Sequence, residues 1–262
     1  MYAFTLDRPH ALDAAVAAAA GGGQLLAGGQ TLLPSMKMRL SQPGHLVDLG
    51  GVKEMVGIAQ SGDALVIGAM TRHMDVASNP LVHSMIPALA HLAGRIGDRQ
   101  VRAMGTMGGS VANNDPAACY PSAVLGLGAS VHTNKRRIEA DDFFQGMFTT
   151  ALEQGELITS VEFPIPQKAA YEKFKNPASR YAIVGVFAAK FANGARVGVT
   201  GASQSGVFRH EGMEKALSAN FSPDATVGVS TPADNMNGDI HASAEYRAHL
   251  VGVVTKRAVA KA

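Results

Sequence analysis

Apolar positions in the first half of the chain fall alternately into short runs and into longer stretches at helical spacing. Ala3-Phe4-Thr5-Leu6 reads as a strand, Leu12 to Ala20 as an alanine-rich helix, and Gln24-Leu25-Leu26-Ala27 as a second strand ending at Gly28-Gly29. Leu46-Val47-Asp48-Leu49 is a third strand. Met55 to Gln60 and Ala64 to Ala69 meet across Ser61-Gly62-Asp63, the pattern of a hairpin, so a mixed sheet is expected. From Asp75 to Arg95 apolar residues recur at helical spacing, with interruptions at Pro80 and Pro87. A glycine-rich loop is expected from Gly105 to Ser110. Asp115-Pro116 then predicts a helix start, with the acid as cap and the proline in the first turn, running to about Leu127.

The pattern simplifies after Pro164-Ile165-Pro166, which reads as a linker between domains. Tyr181 to Phe191 and Arg196 to Ala202 flank Asn193-Gly194, the strongest hairpin signal in the chain. Helices near Glu211 to Ala219 and from Ala242 to the C-terminus are expected to cover that antiparallel sheet.

Composition narrows the function more than the fold. The 262 residues are 47% hydrophobic, enough to fill a real core, and 23 basic against 21 acidic side chains leave a net charge of +2. So balanced a chain gives no reason to expect a nucleic-acid partner. With Cys119 alone there is no internal disulfide, and an iron–sulfur cluster, which normally takes four thiolates, would have to belong to a partner. The nine histidines show no metal-binding spacing. No apolar stretch approaches the roughly twenty residues needed to span a bilayer, and a cytoplasmic protein is expected.

Two segments carry candidate chemistry. Ala27-Gly28-Gly29-Gln30-Thr31 and Thr106-Met107-Gly108-Gly109-Ser110 each set paired glycines beside hydroxyl residues. Loops of this kind can turn consecutive backbone N–H groups toward one anion, and two facing nests would suit a pyrophosphate. Taken singly, each reads more readily as a tight turn. Neither matches the Gly-x-Gly-x-x-Gly or Gly-Lys-Ser/Thr phosphate motifs.

The stretches AGGQTLLPSMKMRL (27 to 40), TRHMDVA (71 to 77) and GTMGGSVANNDPAACYPSAVLGLGA (105 to 129) resemble the FAD-binding medium subunits of molybdenum hydroxylases of the xanthine dehydrogenase and carbon monoxide dehydrogenase type. FFQGMFTTALEQGELITSVEFP (143 to 164) and YEKFKNPASRYAIVGVFAA (171 to 189) are similar to the same family, so the resemblance spans nearly the whole chain. It implies an α+β fold: a vanillyl-alcohol-oxidase (PCMH-type) FAD-binding domain of two subdomains over 1–166, and a small antiparallel-sheet domain over 167–262. It also implies the site. Ala27, Gly28, Gly29, Gln30 and Thr31, with Thr106, Gly108, Gly109 and Ser110, would cradle the FAD pyrophosphate and its sugars. Ile96, Leu157 and Ile158 would lie against the flavin or its flanks, Lys175 near the ring, and His73, Asn114 and Asp115 elsewhere on the cofactor.

The family pattern ends Asp-Pro-Ala-Ala-Asp after the second glycine segment, and here the last position is Cys119. FAD is expected to bind regardless, with its adenosine end held differently. The resemblance further implies a small partner subunit with 2Fe-2S clusters, a large partner with a molybdenum-pterin cofactor that oxidises the substrate, a dimer of such heterotrimers, and an external electron acceptor. Two other readings stand beside it: a flavin-free nucleotide-binding or scaffold subunit of the same complex, and a self-contained flavin reductase or oxidase.

Overall fold

The computed structural model describes residues 1–262. Its first unit is a three-stranded parallel sheet ordered β1-β3-β2, built from β1 (Thr5–Asp7), α1 (Leu12–Ala20), β2 (Gln24–Leu26), α2 (Leu32–Lys37) and β3 (His45–Asp48). β1 starts two residues later than the expected run and ends one residue beyond it. α1 has the expected bounds because Ala15 and Ala19 pack inward and the chain breaks at Gly21-Gly22.

A second sheet is ordered β4-β5-β10-β6-β7, and all its pairings are antiparallel. Its first hairpin is β4 (Ile58–Ser61) and β5 (Ala64–Gly68); Met55, expected in a strand, instead closes a short 3-10 turn. The expected mixed sheet is therefore two sheets, one wholly parallel and one wholly antiparallel. Between β5 and the rest of this sheet the chain is helical. The stretch read as one interrupted helix is α3 (His73–Ser78), α4 (Pro80–Met85) and α5 (Pro87–Gly94), each proline opening a new helix where its missing N–H costs nothing. α6 (Arg99–Met104) is capped by Asp98 Oδ1, which accepts from Val101 N at 2.9 Å.

α7 (Met107–Asn113) occupies what the sequence suggested was a loop, and α8 (Tyr120–Leu127) begins later than expected. Asp115 closes a turn by accepting from Ala117 N at 2.8 Å, so it caps that turn and not the helix. The unit ends with β6 (Ser130–Thr133), β7 (Arg137–Glu139), α9 (Ala140–Phe143), the small hairpin β8 (Phe144–Gly146) and β9 (Thr149–Thr150), and β10 (Ile158–Pro164).

Three residues, 165–167, lead into the four-stranded antiparallel sheet β11 (Lys168–Lys175), β12 (Ala182–Phe191), β13 (Gly194–Ser203) and β14 (Gly206–Arg209). α10 (Glu211–Ala219) and α11 (Ala244–Val259) cover one face. The other face receives α8, all eight residues of which are buried. The contact is close: a Cβ on Gly198 would come 2.2 Å from the Ser122 carbonyl. Tyr171 and Phe187 of this sheet share one core with Leu89, Tyr120 and Val124. Full burial of an aliphatic or aromatic side chain stabilises by about 1.5–3 kcal/mol, so this shared core joins the two sheet systems firmly.

Candidate functional site

A cleft of about 800 Å³ runs between the β2–α2 loop, the α6–α7 segment, residues 152–158 and the β11–β12 loop. Ala27, Gly28, Gly29, Gln30 and Thr31 form one wall, and Thr106, Gly108, Gly109 and Ser110 face into it, with His73, Ile96, Asp115, Leu157 and Ile158. Fourteen of the sixteen residues singled out in the sequence thus meet around one cavity; Asn114 and Lys175 do not.

The two glycine segments differ in kind. No backbone N–H of residues 27–31 donates a hydrogen bond within the chain, although the carbonyls of Gly28, Gly29 and Thr31 accept from Gln30 Nε2, Leu33 N and Ser35 N. Five consecutive donors are left free beside the cleft, which is what an anion cradle requires. The second segment keeps only the Thr106 N–H free. Met107 N donates to Thr71 O, Gly108 N to Ala69 O, Gly109 N to Thr106 Oγ1 and Ser110 N to Thr106 O. It is the capped first turn of α7, and the expected pair of facing nests reduces to one nest opposite the hydroxyls of Thr106 and Ser110.

The glycines serve this arrangement mainly by letting backbones touch. A Cβ on Gly28 would lie 2.3 Å from Met104 O, and one on Gly108 would lie 2.4 Å from Ala69 Cβ. At Gly109 it would meet Thr106 Oγ1 at 2.8 Å and Ala27 Cβ at 3.1 Å. Of these glycines only Gly29, at φ +70°, takes the left-handed region that disfavours a side chain.

Two expected residues have other work. Asn114, buried and left-handed, donates from Nδ2 to the carbonyls of Gly146 and Thr149 at 2.7 and 2.9 Å, tying the β8–β9 hairpin to the end of α7. Lys175 is exposed at the end of β11, where the β11–β12 register slips between Phe174 and Lys175 and breaks the alternation that would have pointed it inward. The lysine on the cleft wall is Lys173, 6% exposed, whose Nζ donates to Arg180 O at 2.9 Å and lies 3.4 Å from Cys119 Sγ. Cys119 is thus a buried neighbour of the Lys173 amine. Ser179, Arg180 and Tyr181 complete that wall, and the polar turn Asn-Pro-Ala-Ser-Arg between two strands was the signal available for them.

Titratable groups in the cleft are strongly shaped by their surroundings. Burial and then the nearby Arg102 charge lower His73 from 6.5 to about 4. Burial pushes Asp115 up, partly opposed by the Ala117 N–H. Burial also raises Glu156, but hydrogen bonds from Arg136, the Glu153 N–H and Thr133 outweigh it and bring the carboxyl to about 2. Glu156 thereby fixes residues 153–157, and with them Leu157, against the β6–β7 hairpin.

A protein-family model described as the FAD binding domain in molybdopterin dehydrogenase matches residues 2–166. The chain is 33% identical over 257 residues to a carbon monoxide dehydrogenase medium chain from Hydrogenophaga pseudoflava, covering 90% of this chain and 88% of that one. It is 32% identical over 252 residues to a nicotine 6-hydroxylase medium subunit from Paenarthrobacter nicotinovorans, covering 91% and 89%. Among solved structures it superposes on a chain of the cyanide-inactivated Cu,Mo-CO dehydrogenase with a TM-score of 0.91 at 33% identity, over 100% of this chain and 98% of that chain.

Proposed function

This chain belongs to the family of FAD-binding domains of molybdopterin dehydrogenases, and we propose that it is the flavin-carrying medium subunit of a molybdenum hydroxylase complex. The observation that carries this reading is the run of five unpaired N–H groups at residues 27–31, set in a cleft large enough for a dinucleotide. A pyrophosphate accepting from that run would face the hydroxyls of Thr31, Thr106 and Ser110. Ile96, Leu157 and Ile158 give the cleft apolar surface suited to a flavin ring, and Asp115 lines the cavity near Cys119. Bound FAD would supply the chemistry, accepting electrons singly and delivering one or two. The chain's own groups bind it, orient it and keep water off one side.

Residues 1–166 act in this reading as the FAD-binding domain. Residues 167–262 form a second unit that closes the cleft with Lys173 and the 176–181 loop. A small partner subunit with 2Fe-2S clusters hands electrons to the flavin, a large partner with the molybdenum-pterin cofactor oxidises the organic substrate, and the flavin reduces an external acceptor. A dimer of such heterotrimers in the cytoplasm is the assembly we infer. No helix of the chain is long and apolar enough to cross a membrane. The apolar surface of Ile96, Leu157 and Ile158 beside the 27–31 run, more than a nucleotide alone would need, speaks against the flavin-free alternative.

The test is to purify the chain with its co-expressed partners and measure flavin. One FAD per chain, released by mild denaturation, is expected, since no His or Cys lies in the 27–31 cradle to form a covalent link. Preparations free of flavin after reconstitution would overturn the reading, as would a single chain, free of iron and molybdenum, whose flavin is reduced by hydroxylase substrates.

A further inference from the structure

His73 is 5% exposed and opens α3 beside the second glycine segment, its backbone N–H bound to Gly105 O at 2.9 Å. Its ring lies 5.4 Å from that of Tyr120, and Nε2 covers Gly105 so closely that a Cβ there would be 2.6 Å away. The two ring nitrogens are unequal. Nδ1 is fully buried and has no hydrogen-bond partner. Nε2 has no partner within the chain either, but it is not closed off, and His73 lines the cleft.

A neutral imidazole carries one proton, which must sit on one nitrogen or the other. A buried N–H without an acceptor is rare and costly, whereas an unused lone pair is tolerated more readily. The proton therefore belongs on Nε2, and the orphaned lone pair on Nδ1. Burial and Arg102 keep the ring in this neutral state at physiological pH. The cleft thus holds a fixed, uncharged donor beside Gly105 and Thr106.

We propose that His73 Nε2–H donates a hydrogen bond to a phosphate or sugar oxygen of FAD where the cofactor passes Gly105–Thr106. The proposal rests on the FAD reading above and adds to it a specific atom and tautomer. A donor without charge orients the cofactor and leaves the flavin's electrostatics to other groups.

The test uses the full chain in its purified complex, stripped of flavin and titrated with FAD. His73→Leu should weaken FAD binding about tenfold, the fold-change equal to about 1.4 kcal/mol for one hydrogen bond. His73→Gln, whose amide nitrogen can reach the place of Nε2, should restore most of that affinity, while His73→Asn, which reaches only the place of Nδ1, should not. Thermal midpoints of the apo forms check that folding is intact. In the parent, nitrogen-15 NMR should show the His73 proton on Nε2, with that resonance moving when FAD is added. Unchanged affinity in His73→Leu, equal losses in the Gln and Asn variants, or a proton on Nδ1 overturns the proposal while leaving the FAD reading intact. A parent that takes up no FAD overturns both.

Discussion

Gly28 rests directly on the backbone of Met104, so closely that a Cβ would sit 2.3 Å from the Met104 carbonyl oxygen. The contact joins the β2–α2 loop to the segment leading into α7, and so sets the width of the cleft between the free N–H groups of 27–31 and the hydroxyls opposite. Gly28→Ala is expected to push the two apart, since neither backbone can yield as a side chain can. FAD binding should be lost, and stability should fall by about 1–3 kcal/mol, the usual cost of overpacking. Flavin absorbance and a denaturant titration of the same preparation check both.

Gly109→Val is expected to act differently. Gly109 is helical, so the cost comes from the Cβ meeting Ala27 at 3.1 Å and the cap oxygen of Thr106 at 2.8 Å, and not from backbone strain. The branched side chain would grow into the gap between the two segments. FAD stoichiometry should drop to near zero while the apoprotein keeps its native circular dichroism; a variant holding one FAD per chain would remove Gly109 from the site.

Much of this site was legible in the sequence because it depends on contiguous signals. Ala27 to Thr31 announce a turn with paired glycines after a strand, and the structure turns those five residues into donors. The helical identity of 107–113 was not legible: two adjacent glycines disfavour a helix, and what holds this one is tertiary, the bonds from Met107 N to Thr71 O and from Gly108 N to Ala69 O. Lys173 was missed because the family resemblance pointed to Lys175, and strand alternation would put both on one face. Only the register slip after Phe174 separates them, and no local sequence feature marks it. Asn114 was recognisable as special, but its role depends on carbonyls more than thirty residues away.

The two lysines should therefore separate in experiment. Lys175→Met removes an exposed charge outside the cleft and is expected to leave FAD affinity, flavin midpoint potential and stability within about 0.5 kcal/mol of the parent. Lys173→Met removes the donor that holds Arg180 O and accompanies Cys119, and should lower the thermal midpoint and weaken FAD binding by loosening the 176–181 wall. Potentiometric and thermal titrations of both variants decide it. A shifted potential in Lys175→Met with a silent Lys173→Met would reverse the assignment.

Acid should destabilise the cleft in two stages, because His73 and Glu156 both have folded pKa values below their ordinary ones. In the unfolded chain His73 takes up a proton near pH 6.5, while the folded chain resists until about 4. The unfolded state binds more protons between those values, so stability is full above 6.5 and falls as pH drops toward 4. Glu156 loses its negative charge near 4.5 when unfolded but keeps it to about 2 when folded. Its hydrogen bonds with Arg136 and the Glu153 N–H therefore contribute fully above 4.5 and are lost as pH falls from there toward 2. Denaturant midpoints measured across pH 3 to 8 should show His73→Leu flattening only the limb above pH 4, and Glu156→Gln only the limb below 4.5. Loss of both limbs in either variant, or of neither, would show that the acid sensitivity arises elsewhere in the fold.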